Sequence, residues 1–120
     1  MGDLREIPTG RSLADTFHRM EREMDTYAIL RRKGWRTTDD LAEAGARSAA
    51  EGDKMSDDIR WIRSYVTDEP DGSVGTVCIY QASSPEAIRD HAERAGLPVD
   101  DIVRIADTVI VRADPDRASI

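Results

Sequence analysis

The stretch Ser84-Pro-Glu-Ala-Ile-Arg-Asp-His-Ala-Glu-Arg-Ala-Gly-Leu-Pro98 is the most tightly punctuated part of this chain. Ser84 is a natural helix N-cap, Pro85 suits the first helical position, and Glu86 favours the positive end of the helix dipole. Ala87, Ile88, His91, Ala92 and Ala95 recur at helical spacing. Arg94 falls in the last turn, Gly96 fits the residue just past the end, and Pro98 forbids continuation. A helix bounded this sharply constrains its neighbours. Before it, Ile59–Thr67 and Val74–Gln81 are rich in β-formers and are joined by Asp68-Glu-Pro-Asp-Gly-Ser73, a strong turn signal. They predict an antiparallel hairpin. After it, Ile102–Val111 reads as a strand.

The first half is less sharply marked. Asp25–Lys33 reads as a strand that Gly34 breaks. Thr37 or Thr38 can cap a helix running to about Glu51, with Asp39 and Asp40 at its positive end. Its inward stripe would be Leu41, Ala44 and Ser48, joined by Gly45, Ala49 and Met55; residues this small let a helix lie close on a sheet. Ser12 can cap an amphipathic helix reaching Met24, with Leu13, Phe17, Met20 and Met24 on one stripe. The expected organisation is an N-terminal arm and helix over 1–23, one domain over 24–113, and a polar tail over 114–120. The order β-α-β-β-α-β predicts an α+β, ferredoxin-like fold: a four-stranded antiparallel sheet with helices on one face, plus the extra N-terminal helix.

The chain has 120 residues, enough to bury a core without disulfide or metal. Lys and Arg number 17 against 24 Asp and Glu, a formal charge of −7. That balance disfavours nucleic acid and anionic membranes, which demand a basic patch. The local cluster Arg31-Arg32-Lys33 reads as a solvated strand edge. Cys78 is the single cysteine, so no internal disulfide or Cys-based zinc site is expected. No apolar run is long enough to span a bilayer, and residues 3–6 are too polar for a signal peptide. A cytoplasmic location follows as the expectation.

Strict alternation along the hairpin divides its residues between two faces. Ile62, Ser64 and Val66 with Val77 and Ile79 would lie under the helices. Trp61, Arg63, Tyr65, Thr76, Cys78 and Tyr80 would face away. So many large rings need a cover: a second subunit, a ligand, or the N-terminal helix.

With Trp61-Ile-Arg-Ser-Tyr-Val66, Cys78-Ile-Tyr80 and the run Ser84–Pro98 in view, the chain resembles a bacterial domain-of-unknown-function family that includes small nickel-binding proteins. The resemblance covers about residues 24–113 and is specific in the second half. It implies a ferredoxin-like fold and a homodimer. One branch of that family binds nickel through histidines near the dimer interface. Here Arg63 stands where family members often carry His, and a guanidinium cannot ligate a metal. His91 matches a His common in the family, while the helix His of the nickel-binding branch falls where Ala92 stands. With only His18 and His91 in the chain, no metal site is expected, and no cofactor.

The candidate ligand-binding residues are therefore Trp61, Arg63, Tyr65, Cys78, Tyr80 and His91. His91 could act as an acid–base group, or be a buried His bonded to a backbone carbonyl. Cys78 could be a nucleophile if Arg63 lay beside it, or a small core residue. Tyr65 and Tyr80 could present hydroxyls to a ligand, or pack at an interface. Arg63 could hold an anionic ligand or an intersubunit carboxylate. Trp35 could line a pocket rim or close the core. No phosphate loop or catalytic triad pattern is present. Three functions follow: a dimeric binding protein with a pocket for a small molecule, or less favourably a metal ion, at the open sheet face; a cofactor-free isomerase- or cyclase-like enzyme using His91 or Cys78; or an accessory protein acting through its N-terminal helix.

Overall fold

A computed structural model describes residues 24–115. Its elements are β1 (Asp25–Trp35), α1 (Thr38–Lys54), β2 (Ile59–Asp68), β3 (Val74–Ala82), α2 (Pro85–Ala95) and β4 (Asp101–Arg104). The protein is α+β: the strands form one antiparallel sheet in the order β2-β3-β1-β4, with two helices packed on one side. The expected N-terminal helix lies outside the described residues.

Local signals account for the helix ends. Thr37 is the N-cap of α1, its hydroxyl accepting from the Asp40 N–H. Ser84 does the same for α2 through the Ala87 N–H, and Gly96 closes that helix at φ 69°, a left-handed conformation glycine adopts without penalty. α2 buries Ile88, His91, Ala92 and Ala95, and α1 buries only Ala44 and Ser48.

Three expectations need correction. First, Arg31 does not stand at a solvated edge. β1 is a central strand, and Arg31 is 1% exposed beside Tyr27 and Ile29 on the helix side. Only Arg32 and Lys33 of that cluster are exposed.

Second, β4 ends at Arg104, not Val111. It pairs with β1 as Tyr27 opposite Arg104, and the Ile105 N–H donates to the Thr26 carbonyl. Continuing that register would run past Asp25, where β1 begins, so the β-prone residues Val109, Ile110 and Val111 stand 79–87% exposed.

Third, the two faces of the hairpin are not those of strict alternation. Tyr80, Cys78 and Thr76 face the helices; Val77 and Ile79 face away. On β2 a bulge intervenes: Trp61 pairs with Tyr80 and Arg63 with Ile79, leaving Ile62 unpaired. Trp61 therefore shares the helix side with Ser64 and Val66, while Arg63 and Tyr65 lie on the open side. Size explains the inversion on β3. The inner stripe of α1 is Ala44, Gly45 and Ser48, so the sheet must supply the bulk, and large rings fill that space better than Val and Ile.

Candidate functional site

Tyr80 is the centre of the helix side. Its ring is 1% exposed and lies between two others. Trp61 stacks on it at 6.0 Å between centroids and 5° between planes, and His91 tilts against it at 5.6 Å. Its hydroxyl is 3.0 Å from Ser48 Oγ, which satisfies two buried hydroxyls at once. Burial pushes the Tyr80 phenol up; the Ser48 hydrogen bond opposes this, and Arg31 acts in the same lowering direction. Tyr80 is thus a neutral phenol at physiological pH.

His91 donates from Nε2 to the main-chain carbonyl of Ser48 at 2.9 Å, which fixes the proton on Nε2. The ring is 1% exposed. Its geometry is that of a buried His tying α2 to α1. Cys78 is buried, and its thiol donates to Thr76 Oγ1 at 3.3 Å. Arg63 cannot activate it, because Arg63 lies on the other face of the sheet.

Arg63 and Tyr65 form a separate group on the open side. Both bind Asp114 Oδ2, Arg63 Nη1 at 3.0 Å and the Tyr65 hydroxyl at 2.8 Å. The six sequence candidates therefore split: Trp61, Cys78, Tyr80 and His91 converge under the helices, and Arg63 and Tyr65 do not join them.

A cavity of about 140 Å³ opens beside the first group. It lies between α1 and the helix side of the sheet, not on the open face. Trp61, Tyr80, Cys78 and Thr76 form its sheet wall, and Ala44, Gly45 and Ser48 its helix wall. Trp35 and Leu97 close one end, so Trp35 is a pocket residue. The wall is almost wholly apolar. His91 is not among the lining residues; it borders a separate groove of about 370 Å³ that shares Ser48, Trp61 and Tyr80 with the cavity.

The residue that sequence reasoning missed is Arg31, which also lines the cavity. The signal was available: Tyr27, Ile29 and Arg31 sit at a two-residue spacing, so a buried Tyr and Ile imply a buried Arg. The neighbouring Arg32 and Lys33 disguised it as a solvated patch.

Among the described residues, no group of three His, Cys, Asp or Glu side chains is placed to hold a metal ion. None of the described helices is long and apolar enough to cross a membrane. Residues 27–105 match a family model described as nickel responsive protein SCO4226-like. No curated protein and no solved structure matches the chain.

Proposed function

The chain belongs to the SCO4226-like nickel-responsive protein family, and from that premise we propose that it is a dimeric small-molecule-binding protein whose pocket is the cavity under α1. The observation that carries this reading is the cavity itself, an apolar space of about 140 Å³ walled by stacked rings and opening beside the half-exposed Trp61. A packed core leaves few voids of that size, and binding pockets pair apolar walls with a few directed polar groups. The element order, with β2 and β4 at the sheet edges, supports reading the fold as ferredoxin-like.

The donors do not fit nickel among the described residues. His91 commits Nε2 to a carbonyl, the Cys78 thiol is bonded to Thr76, and Arg63 is a permanent cation. The enzyme reading needs His91 or Cys78 free to reach a substrate, and neither geometry favours it.

The second subunit would cover the open sheet face. Ala28, Leu30, Val77 and Ile79 are only partly buried there, and Val103 is 46% exposed. Native mass spectrometry of the protein as purified tests both parts together. The expected spectrum shows two chains with a retained small organic mass, or two chains that take up an aromatic fragment from a small library. A monomer that takes up no fragment at millimolar concentration would overturn the reading.

A further inference from the structure

Resting on that pocket reading, we propose that the cavity takes a small organic monocarboxylate, its charge held by Arg31 and its apolar body lying against Trp61 and Tyr80. Arg31 carries a permanent charge, and its side chain is among the largest of the fully buried ones. Its Nη1 donates to the Pro98 carbonyl at 2.7 Å. Its Nη2 is buried and has no hydrogen-bond partner among the described residues. Among the described residues, no carboxylate pairs with it either. Two acids close to β1 are engaged by the neighbouring residue: Glu69 accepts from the Arg32 guanidinium, and Asp100 accepts from the Arg32 backbone N–H.

A buried, unpaired charge is among the costliest things a core can hold, and native structures answer it with a counter-ion. Among the described residues none is supplied where Arg31 meets the cavity. The chemistry of the space then selects the anion. One guanidinium balances one negative charge, so a dianion would leave its second charge against apolar walls. The unpartnered Nη2 of a guanidinium suits a carboxylate oxygen. The volume of about 140 Å³ is close to the ~150 Å³ known to admit benzene.

Benzoate and its neutral isostere benzamide are the probes. Both are titrated into the full chain by calorimetry, with tryptophan fluorescence in parallel, because Trp35 and Trp61 both line the cavity. Benzoate is expected to bind about tenfold tighter or more, the usual advantage of a charge-assisted pair. Arg31→Met should erase that preference while the protein melts no lower than wild type, since an unpaired buried charge has been replaced by a shape-matched apolar side chain. Arg31→Lys, which keeps the charge but loses the fork, should weaken benzoate about fivefold and leave benzamide unchanged; it stands in if Arg31→Met does not fold. Equal affinity for the two probes would overturn the carboxylate inference and leave the pocket reading standing. Benzoate displaced completely by chloride at equal concentration would overturn it in favour of an inorganic anion. Binding of neither probe would overturn the pocket reading and this inference with it.

Discussion

At the scale of single residues, the buried polar groups decide how the helix side is fastened. Tyr80 and Ser48 satisfy each other 3.0 Å apart, and the Ser48 carbonyl accepts from His91 Nε2–H. Truncating one hydroxyl strands the other in a dry site, at a cost of about 1–3 kcal/mol; removing both removes the debt. Ser48→Ala and Tyr80→Phe should therefore each destabilise by about that amount, and the double variant by less than the sum. Urea denaturation of the four proteins measures this, and strict additivity would show that the two hydroxyls do not depend on one another. A second residue-scale device sits on the open side. Glu69 takes a bidentate grip from Arg32, at 3.0 and 2.8 Å, and a hydrogen bond from Thr67. The Arg32 hydrogen bonds lead in holding its carboxyl down to about 2, from an ordinary value of 4.5. A carboxylate whose folded pKa is depressed stabilises the fold above its unfolded pKa and loses that contribution as pH falls through the folded one. The melting temperature should thus fall progressively between pH 4.5 and about 2, and Glu69→Gln should flatten that fall while lowering stability at pH 7. An unchanged slope in Glu69→Gln would remove Glu69 from the acid response. Gly75 makes this grip possible, because a Cβ there would lie 2.6 Å from Glu69 Oε2 and collide with the Arg31 carbonyl.

Among the elements, α2 was legible and β2 was not, for a physical reason. The ends of α2 are written by local chemistry in Ser84, Pro85 and Gly96, so the expected and observed bounds agree. The faces of β2 depend on a bulge at Ile62, which needs the partner strand to be defined at all. Alternation therefore placed Arg63, Tyr65, Ser64 and Val66 on their proper sides and misplaced Trp61 and Ile62. On β3 the whole assignment inverted, because the aliphatic residues looked more core-like than the rings. The small residues on α1 were the corrective signal: a narrow helix needs bulk opposite it. The bulge has a measurable consequence. Deleting Ile62 removes an unpaired, 47% exposed residue and keeps Trp61 opposite Tyr80 and Arg63 opposite Ile79. Deleting Ser64 restores regular pairing only by turning Arg63 toward Cys78 in the helix-side space. The Ile62 deletion should melt several degrees above the Ser64 deletion, since a misplaced charge in the core costs more than a lost exposed side chain. Equal melting temperatures would mean the bulge does not set the facing of β2.

For the whole molecule, the question is what lies against the open sheet face. Three strands paired over eight or nine residues and a fourth over four, about 4.8 Å apart, present about 450 Å² of that face, short of the ~800 Å² per partner that a stable interface uses. The sheet face alone is thus a thin basis for the proposed dimer. The missing area is at hand in Val109, Ile110 and Val111, whose apolar side chains are nearly bare. The chain between Ile105, bonded to β1, and Asp114, bonded to Arg63 and Tyr65 on β2, ties this segment to the same side. If both surfaces meet a second copy, each is necessary and neither is sufficient. The intact chain should then weigh twice its 13.4 kDa by light scattering. Ile79→Lys, at the middle of the face, and Ile110→Asp, in the tail, should each return it to a monomer. Circular dichroism should remain unchanged, because both side chains are at least partly open to solvent within one copy. A wild-type monomer at micromolar concentration would reject the dimer. A dimer that survives Ile79→Lys but not Ile110→Asp would move the contact off the sheet and onto the tail.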